Sequence, residues 1–111
     1  MKKKFEVLWA GVAVSDLARI IEYIAVDNPS NALEILDKLK RKSANLYHSP
    51  KRGRVVPELR EYGIYQYREL IVASWRVIHR VQEHKVYVLA VLDSRRNIED
   101  ILLERILETE L

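Results

Sequence analysis

The residues of this chain best suited to chemistry are cations and tyrosines gathered between Gly53 and Arg96. Arg76 sits in an alternating stretch, Trp75-Arg76-Val77-Ile78-His79-Arg80, where it can contact a phosphate or target group, or pair across a sheet with Glu69 on the same face. Arg95 and Arg96 follow Asp93-Ser94 and offer two guanidinium forks to nucleic acid or to a partner's acidic group; the alternative is a solvated turn. Glu58, directly after Pro57, reads as a general base or as a surface carboxylate. An imidazole titrating near about 6.5 would suit His79 to general-acid work. Its setting among Trp75, Val77 and Val81 instead reads as a hydrogen-bonded core histidine. Tyr65, Tyr67 and Tyr87 are either stacking platforms for bases or the tyrosine-rich face of a protein interface. His48, His79 and His84 are too scattered to form a ligand set, and neither a phosphate-cradling glycine loop nor a metal-binding spacing is present. The chain has no cysteine, which excludes thiol chemistry and cysteine-ligated zinc and makes a reducing, cytoplasmic setting the expectation.

These residues must be carried by one domain, since 111 residues suffice for a single core without a disulfide or metal staple. A net charge of +3 does not announce a nucleic-acid binder, but its distribution is uneven. Lys38 to Pro57 holds seven Lys or Arg and no acid, whereas Ile98 to Leu111 holds five acids against Arg105 alone. The basic interval tracks a phosphate backbone or forms a solvated helix face. Lys2-Lys3-Lys4 followed by Phe5 to Val14 imitates a signal peptide, but Glu6 interrupts the apolar run and Asp16 closes it early. An edge strand fits better than an export signal or a membrane span.

Phe5, Val7 and Trp9 alternate with Lys4, Glu6 and Leu8 and predict a first strand, ended by Ala10 and Gly11. Ser15 is the expected N-cap of a helix whose stripe is Leu17, Ile20, Ile21 and Ile24. Asp27-Asn28-Pro29 breaks it, and Ala32, Ile35, Leu36, Leu39 and Leu46 stripe a second, longer helix, giving an antiparallel hairpin with Lys38, Lys40, Arg41 and Lys42 outside. Strands are expected at Val56-Leu59, Tyr67-Leu70, Trp75-Arg80 and Val86-Val91, with two-residue loops at Ala73-Ser74 and Glu83-His84. Even loops set the register. They place Leu70, Val72, Trp75, Val77, His79, Val81, Val86, Val88, Ala90 and Leu92 on a core face under the helix hairpin. The opposite face collects Tyr65, Tyr67, Glu69, Ile71, Arg76, Ile78, Arg80, Tyr87, Leu89 and Val91, a mixture expected to be partly covered by the C-terminal segment or by a partner. A short C-terminal helix carries Ile98, Ile101 and Leu102 on one side.

In order and spacing, this first strand, the hairpin split at Asp27-Asn28-Pro29, Gly53-Arg54-Val55-Val56-Pro57-Glu58-Leu59, Tyr67-Arg68-Glu69-Leu70, Trp75-Arg76-Val77-Ile78-His79-Arg80 and Asp93-Ser94-Arg95-Arg96 resemble the RelE/ParE superfamily of type II toxins. The resemblance implies an α+β fold, in which an N-terminal strand and an antiparallel helix hairpin pack on an antiparallel-dominated twisted sheet with a short C-terminal helix. It also implies a growth-inhibiting toxin, associated with plasmid stabilisation, held inactive by a cognate antitoxin and needing no cofactor, with no membrane partner and with DNA contacted only through the antitoxin. RelE-like members cleave ribosome-bound messenger RNA without a metal, and ParE-like members are described as poisons of DNA gyrase. Metal-free cleavage needs cations and an acid–base pair within reach of the scissile phosphate. Arg76 and Arg96 fall on RelE-like arginines, and Glu58 matches a glutamate base of a second nuclease pattern. Two RelE-like basic positions fall at Glu69 and Ile71, however, the C-terminal tyrosine position falls at Leu102, and the terminal His-Tyr pair of the second pattern is absent. The resemblance therefore favours the ParE-like branch. It implies target contacts at Arg68, Arg76, Arg95 and Arg96, and antitoxin contacts at Tyr65, Tyr67 and Ile71. The alternative is a ribosome-dependent endoribonuclease using Arg76, Arg96 and Glu58; a third reading is a toxin relic, or an antitoxin-sequestered DNA-binding component, with no active site.

Overall fold

A computed structural model describes residues 5–47 and 49–110; Lys2, Lys3, Lys4 and His48 lie outside the described residues. Strand β1 (Glu6–Trp9) leads into helix α1 (Gly11–Asp27) and helix α2 (Pro29–Ala44). A 3₁₀ turn over Asn45–Tyr47 and the short β2 (Arg54–Val55) precede α3 (Pro57–Arg60). Strands β3 (Tyr67–Val72), β4 (Trp75–Gln82) and β5 (Lys85–Asp93) and the helix α4 (Ile98–Glu110) complete the chain. The five strands form one sheet in the order β1-β5-β4-β3-β2, antiparallel except for the pairing of β1 with β5.

The turn between the helices forms where expected. Asn28 ends α1 and caps α2, its side-chain oxygen accepting from the Asn31 N–H at 3.1 Å, and Pro29 occupies the first turn, where a missing N–H costs nothing. Helix α1, however, begins at Gly11 with Ala10 as its cap, so Ser15 is an exposed residue of the second turn rather than the N-cap. Both hairpin loops fall at the expected pairs, and Ala73 (φ 54°) and Glu83 (φ 57°) take the positive φ required at the first position of tight two-residue turns.

The sheet is covered on both sides. Beneath the helix hairpin, Ala13, Leu17 and Leu39 pack on Val72, Val77, Val88 and Val91. On the opposite side α3 and α4 bring Val56, Leu59, Ile98, Leu102 and Ile106 onto Tyr67, Ile78, Leu89, Ala90 and Leu92. The expected register holds through β3 and most of β4 but breaks at a bulge. Ile78 lies opposite Ala90 and His79 opposite Val88, so Leu89 is an extra residue in β5. Every side chain beyond it changes face. Ala90 and Leu92 thus pack under α4 and Val91 under the hairpin, the reverse of the expected assignment.

Val56-Leu59 is not a strand. Pro57 has no N–H to give a sheet ladder and its fixed φ suits the first position of a helix, so the chain turns into α3 after the two-residue β2. The expected second helix likewise stops at Ala44, with Leu46 buried from the following 3₁₀ turn.

Candidate functional site

The expected Arg76–Glu69 pair forms and is extended at both ends. Arg76 donates to both Glu58 oxygens at 2.7 Å and, from Nε at 2.7 Å and from a second nitrogen, to Glu69. The other Glu69 oxygen accepts from Arg54 Nε at 2.7 Å. Three elements position this chain of charges: β2 and β3 place Arg54 opposite Glu69, β4 places Arg76 on the same sheet face, and α3 swings Glu58 over it. Glu69 and Arg76 are buried, at 1% and 6% exposure. The bidentate bond from Arg76 holds the Glu58 carboxyl below the ordinary glutamate range, against the opposing effect of partial burial. A carboxylate so committed is a weak proton acceptor, and an arginine that gives four of its five N–H donors to two carboxylates has little left to offer a phosphorane. The arrangement locks α3 to the sheet.

Gly53, before β2, makes this approach possible. Its φ of 92° belongs to the left-handed region, and a Cβ there would overlap the Glu69 carbonyl oxygen.

Arg95 and Arg96 rim a 400 Å³ cleft between α1 and the end of β5, with Trp75, Tyr23 and Arg19 also in its lining. Arg95 is bound to Asp93 through its backbone N–H and guanidinium at 2.8–3.1 Å, which brings the Asp93 carboxyl down to about 2. Arg96 is exposed, and among the described residues its side chain makes no hydrogen bond or ion pair. Tyr65 (59% exposed) and Ile71 (56% exposed) present their side chains to solvent. Tyr67 does not: at 2% exposure it is part of the core under α4, where Arg80 bonds its hydroxyl at 3.2 Å and stacks over its ring. The chain's own C-terminal helix supplies the cover that this face was expected to need. Tyr87 is half-buried and lines a 350 Å³ groove with Tyr67, Arg80 and Leu89 on that face.

His79 is fully buried, as expected; neither ring nitrogen makes a well-formed hydrogen bond, but the backbone of Pro50, Arg52 and Val77 lies close enough to act on the ring. Arg68 lies on the opposite strand, directly across from His79, and gives one N–H to the Gly53 carbonyl at 3.2 Å. Among the described residues no group of three His, Cys, Asp or Glu side chains is placed to hold a metal ion, and no helix is long and apolar enough to cross a membrane.

Besides the two pairs that extend the network, the Asp16–Arg105 ion pair escaped the sequence reading. Asp16 of α1, 5% exposed, takes a bidentate bond from Arg105 of α4 at 2.5 and 2.8 Å and accepts the Val91 N–H at 3.0 Å. β1 pairs with β5 only as far as Val88, so the edge beyond is capped by this pair, with Arg105 also reaching the Leu89 carbonyl at 3.4 Å. A lone aspartate in an apolar stripe and a lone arginine in an acidic tail were the only signals.

Comparison with known families places this geometry in context. The family described as the ParE toxin of the type II toxin–antitoxin system parDE matches residues 7–98. Among solved structures, a chain of the chromosomal ParDE toxin–antitoxin system from P. aeruginosa superposes with a TM-score of 0.70 at 18% identity, over 83% of this chain and 98% of that one. No curated protein sequence matches the chain significantly.

Proposed function

The chain belongs to the ParE toxin family of type II toxin–antitoxin systems, and from that premise we propose that it inhibits growth by binding DNA gyrase and is neutralised by a cognate antitoxin. The observation that carries the binding reading is the closed network Glu58–Arg76–Glu69–Arg54. A nuclease would need Arg76 to meet a phosphorane and Glu58 to take a proton, and here both Glu58 oxygens accept from Arg76 while Arg76 divides four of its five N–H donors between Glu58 and Glu69. What remains for a macromolecular target is surface. Arg96 and the cleft it rims offer donors to an acidic or phosphate-bearing target group. Tyr65 and Ile71, exposed at the β3 end of the sheet, offer apolar and aromatic area to the antitoxin. An antitoxin segment that orders on binding loses conformational entropy, which favours such partly apolar strips over purely charged ones.

The test is induction of the chain alone in a bacterium, with DNA synthesis and protein synthesis labelled separately within minutes. DNA synthesis stopping first, with plasmid supercoiling relaxed or broken, is the expected result. Prompt arrest of translation with ribosome-bound messenger cut would overturn it.

A further inference from the structure

A second polar site lies on the hairpin side of the sheet, away from the ion-pair network. At the corner where β3 begins and β4 ends, the helices no longer cover the strands, and a 220 Å³ pocket opens beside the 49–53 segment. Lys51, Arg68, Gln66, Tyr65 and His79 line it, with Val81 completing the wall. No carboxylate is among these residues. Two cations without an acid to neutralise them produce a positive potential in a concave, partly desolvated space, where field lines concentrate. Arg68 commits one N–H to Gly53, and its other donors meet no partner among the described residues.

His79 makes the pocket more than a patch of surface charge. Its side chain is fully buried and neither nitrogen makes a well-formed hydrogen bond, the backbone of Pro50, Arg52 and Val77 lying nearby without good geometry, and a buried polar group so poorly satisfied is costly. Native interiors seldom carry such a deficit without a reason, and a ligand in the adjoining space relieves it. The space is ample, since a water occupies about 30 Å³ of liquid. Burial holds the ring neutral at physiological pH, so it presents one N–H and one lone pair.

We propose that this pocket binds a phosphate group, with Arg68 and Lys51 neutralising its charge and His79 and the Gln66 amide donating to its oxygens. A tetrahedral oxyanion suits the lining better than a carboxylate does. Donors come from the Lys51 segment, from the start of β3 and from β4, which surround a ligand rather than meeting it in one plane. Free phosphate, a phosphate monoester and a nucleic-acid backbone share this chemistry.

The test titrates inorganic phosphate into the full chain at constant ionic strength, following the His79 ring and the Gln66 side-chain amide by NMR. Saturable shifts at both are expected. Lys51→Ala and Arg68→Lys weaken binding by about tenfold or more, as loss of one charge-assisted hydrogen bond implies. Lys38→Ala, which removes the same charge from the outer face of α2, leaves binding unchanged. Lys51 is exposed, so its variant stays folded even where the Arg68 variant loosens the loop. A nucleoside monophosphate and a short single-stranded oligonucleotide then identify the source. Displacement of phosphate by the oligonucleotide at the same residues assigns a nucleic-acid backbone; binding of phosphate and the monophosphate alone assigns a small ligand. Non-saturating shifts, an equal loss in Lys38→Ala, or binding of an acidic peptide here where phosphate does not bind would overturn the proposal.

Discussion

At the scale of single residues, Arg76 shows how one side chain can satisfy a catalytic pattern and yet serve the fold. Truncating it leaves Glu69, whose side chain is fully buried, without one of its two partners, and frees Glu58. Breaking a buried pair by removing one partner costs about 3–5 kcal/mol, so Arg76→Ala is expected to lower the urea midpoint by that equivalent. Loss of toxicity in that variant would report unfolding rather than chemistry. Arg96 is the cleaner probe of target contact. As an exposed side chain, its replacement by alanine is expected to change stability by less than about 0.5 kcal/mol while reducing growth inhibition. Undiminished toxicity with an unchanged melting curve would remove Arg96 from the target surface. The Glu58 carboxyl is depressed mainly by its bond from Arg76, so its contribution is present above its unfolded pKa, about 4.3, and is lost as pH falls through the lower folded value. Melting temperature measured from neutral pH downward is expected to fall less steeply below that point in Glu58→Gln than in the parent chain.

At the scale of elements, α4 decides what the second sheet face can do. It contributes Ile98, Leu102 and Ile106 to the core, covers Tyr67, and is tied to α1 and the free edge of β5 through Arg105 and Asp16. Arg105→Ala leaves Asp16 with the longer 3.4 Å contact to Arg19 and the Val91 N–H. A loss of about 3–5 kcal/mol is expected, with hydrogen exchange rising first in α4 and at Val91; uniform exchange across the sheet would mean that α4 is not the element released. Gly53 constrains the opposite edge. An alanine there must both take a positive φ and displace the Glu69 carbonyl, so Gly53→Ala is expected to cost more than about 1 kcal/mol by denaturant titration. The bulge at Leu89 belongs to this scale as well. By turning Ala90 and Leu92 to α4 and Val91 to the hairpin, it lets one strand serve two cores.

At the scale of the whole molecule, two layers of helix enclose one sheet, and the charged groups divide between the interior and the rim. Glu69, Arg76 and Asp16 work inside as links between elements, whereas Lys51, Arg68 and Arg96 remain available at openings in the cover. This division leaves cations at the rim for the target contact proposed above. Since both sheet faces are packed, a charge placed in either core is unpaired: Val88→Asp and Ile78→Asp are each expected to abolish the cooperative thermal transition seen by circular dichroism. Retention of a native melt by either variant would mean that its face is open to water.

Local chemistry made much of this legible in the sequence by itself. The helix stripes, the break at Asp27-Asn28-Pro29, the two hairpin loops and the Arg76–Glu69 pairing depend on neighbours along the chain or directly across a two-residue turn, where periodicity and φ preferences act. The same reading singled out the toxin superfamily from the order of its strand motifs, and the family match over residues 7–98 agrees. Contacts between distant segments left no comparable mark. The bulge depends on how β5 meets two cores, Tyr67 is hidden by a helix some thirty residues onward, and Asp16 finds Arg105 across 89 positions. Glu58 met Arg76 because Pro57 turned the chain into α3 and laid it over that side chain. Residue type and spacing determined which groups were present; tertiary packing decided which of them were consumed, because a buried charge must find its partner wherever the fold places one.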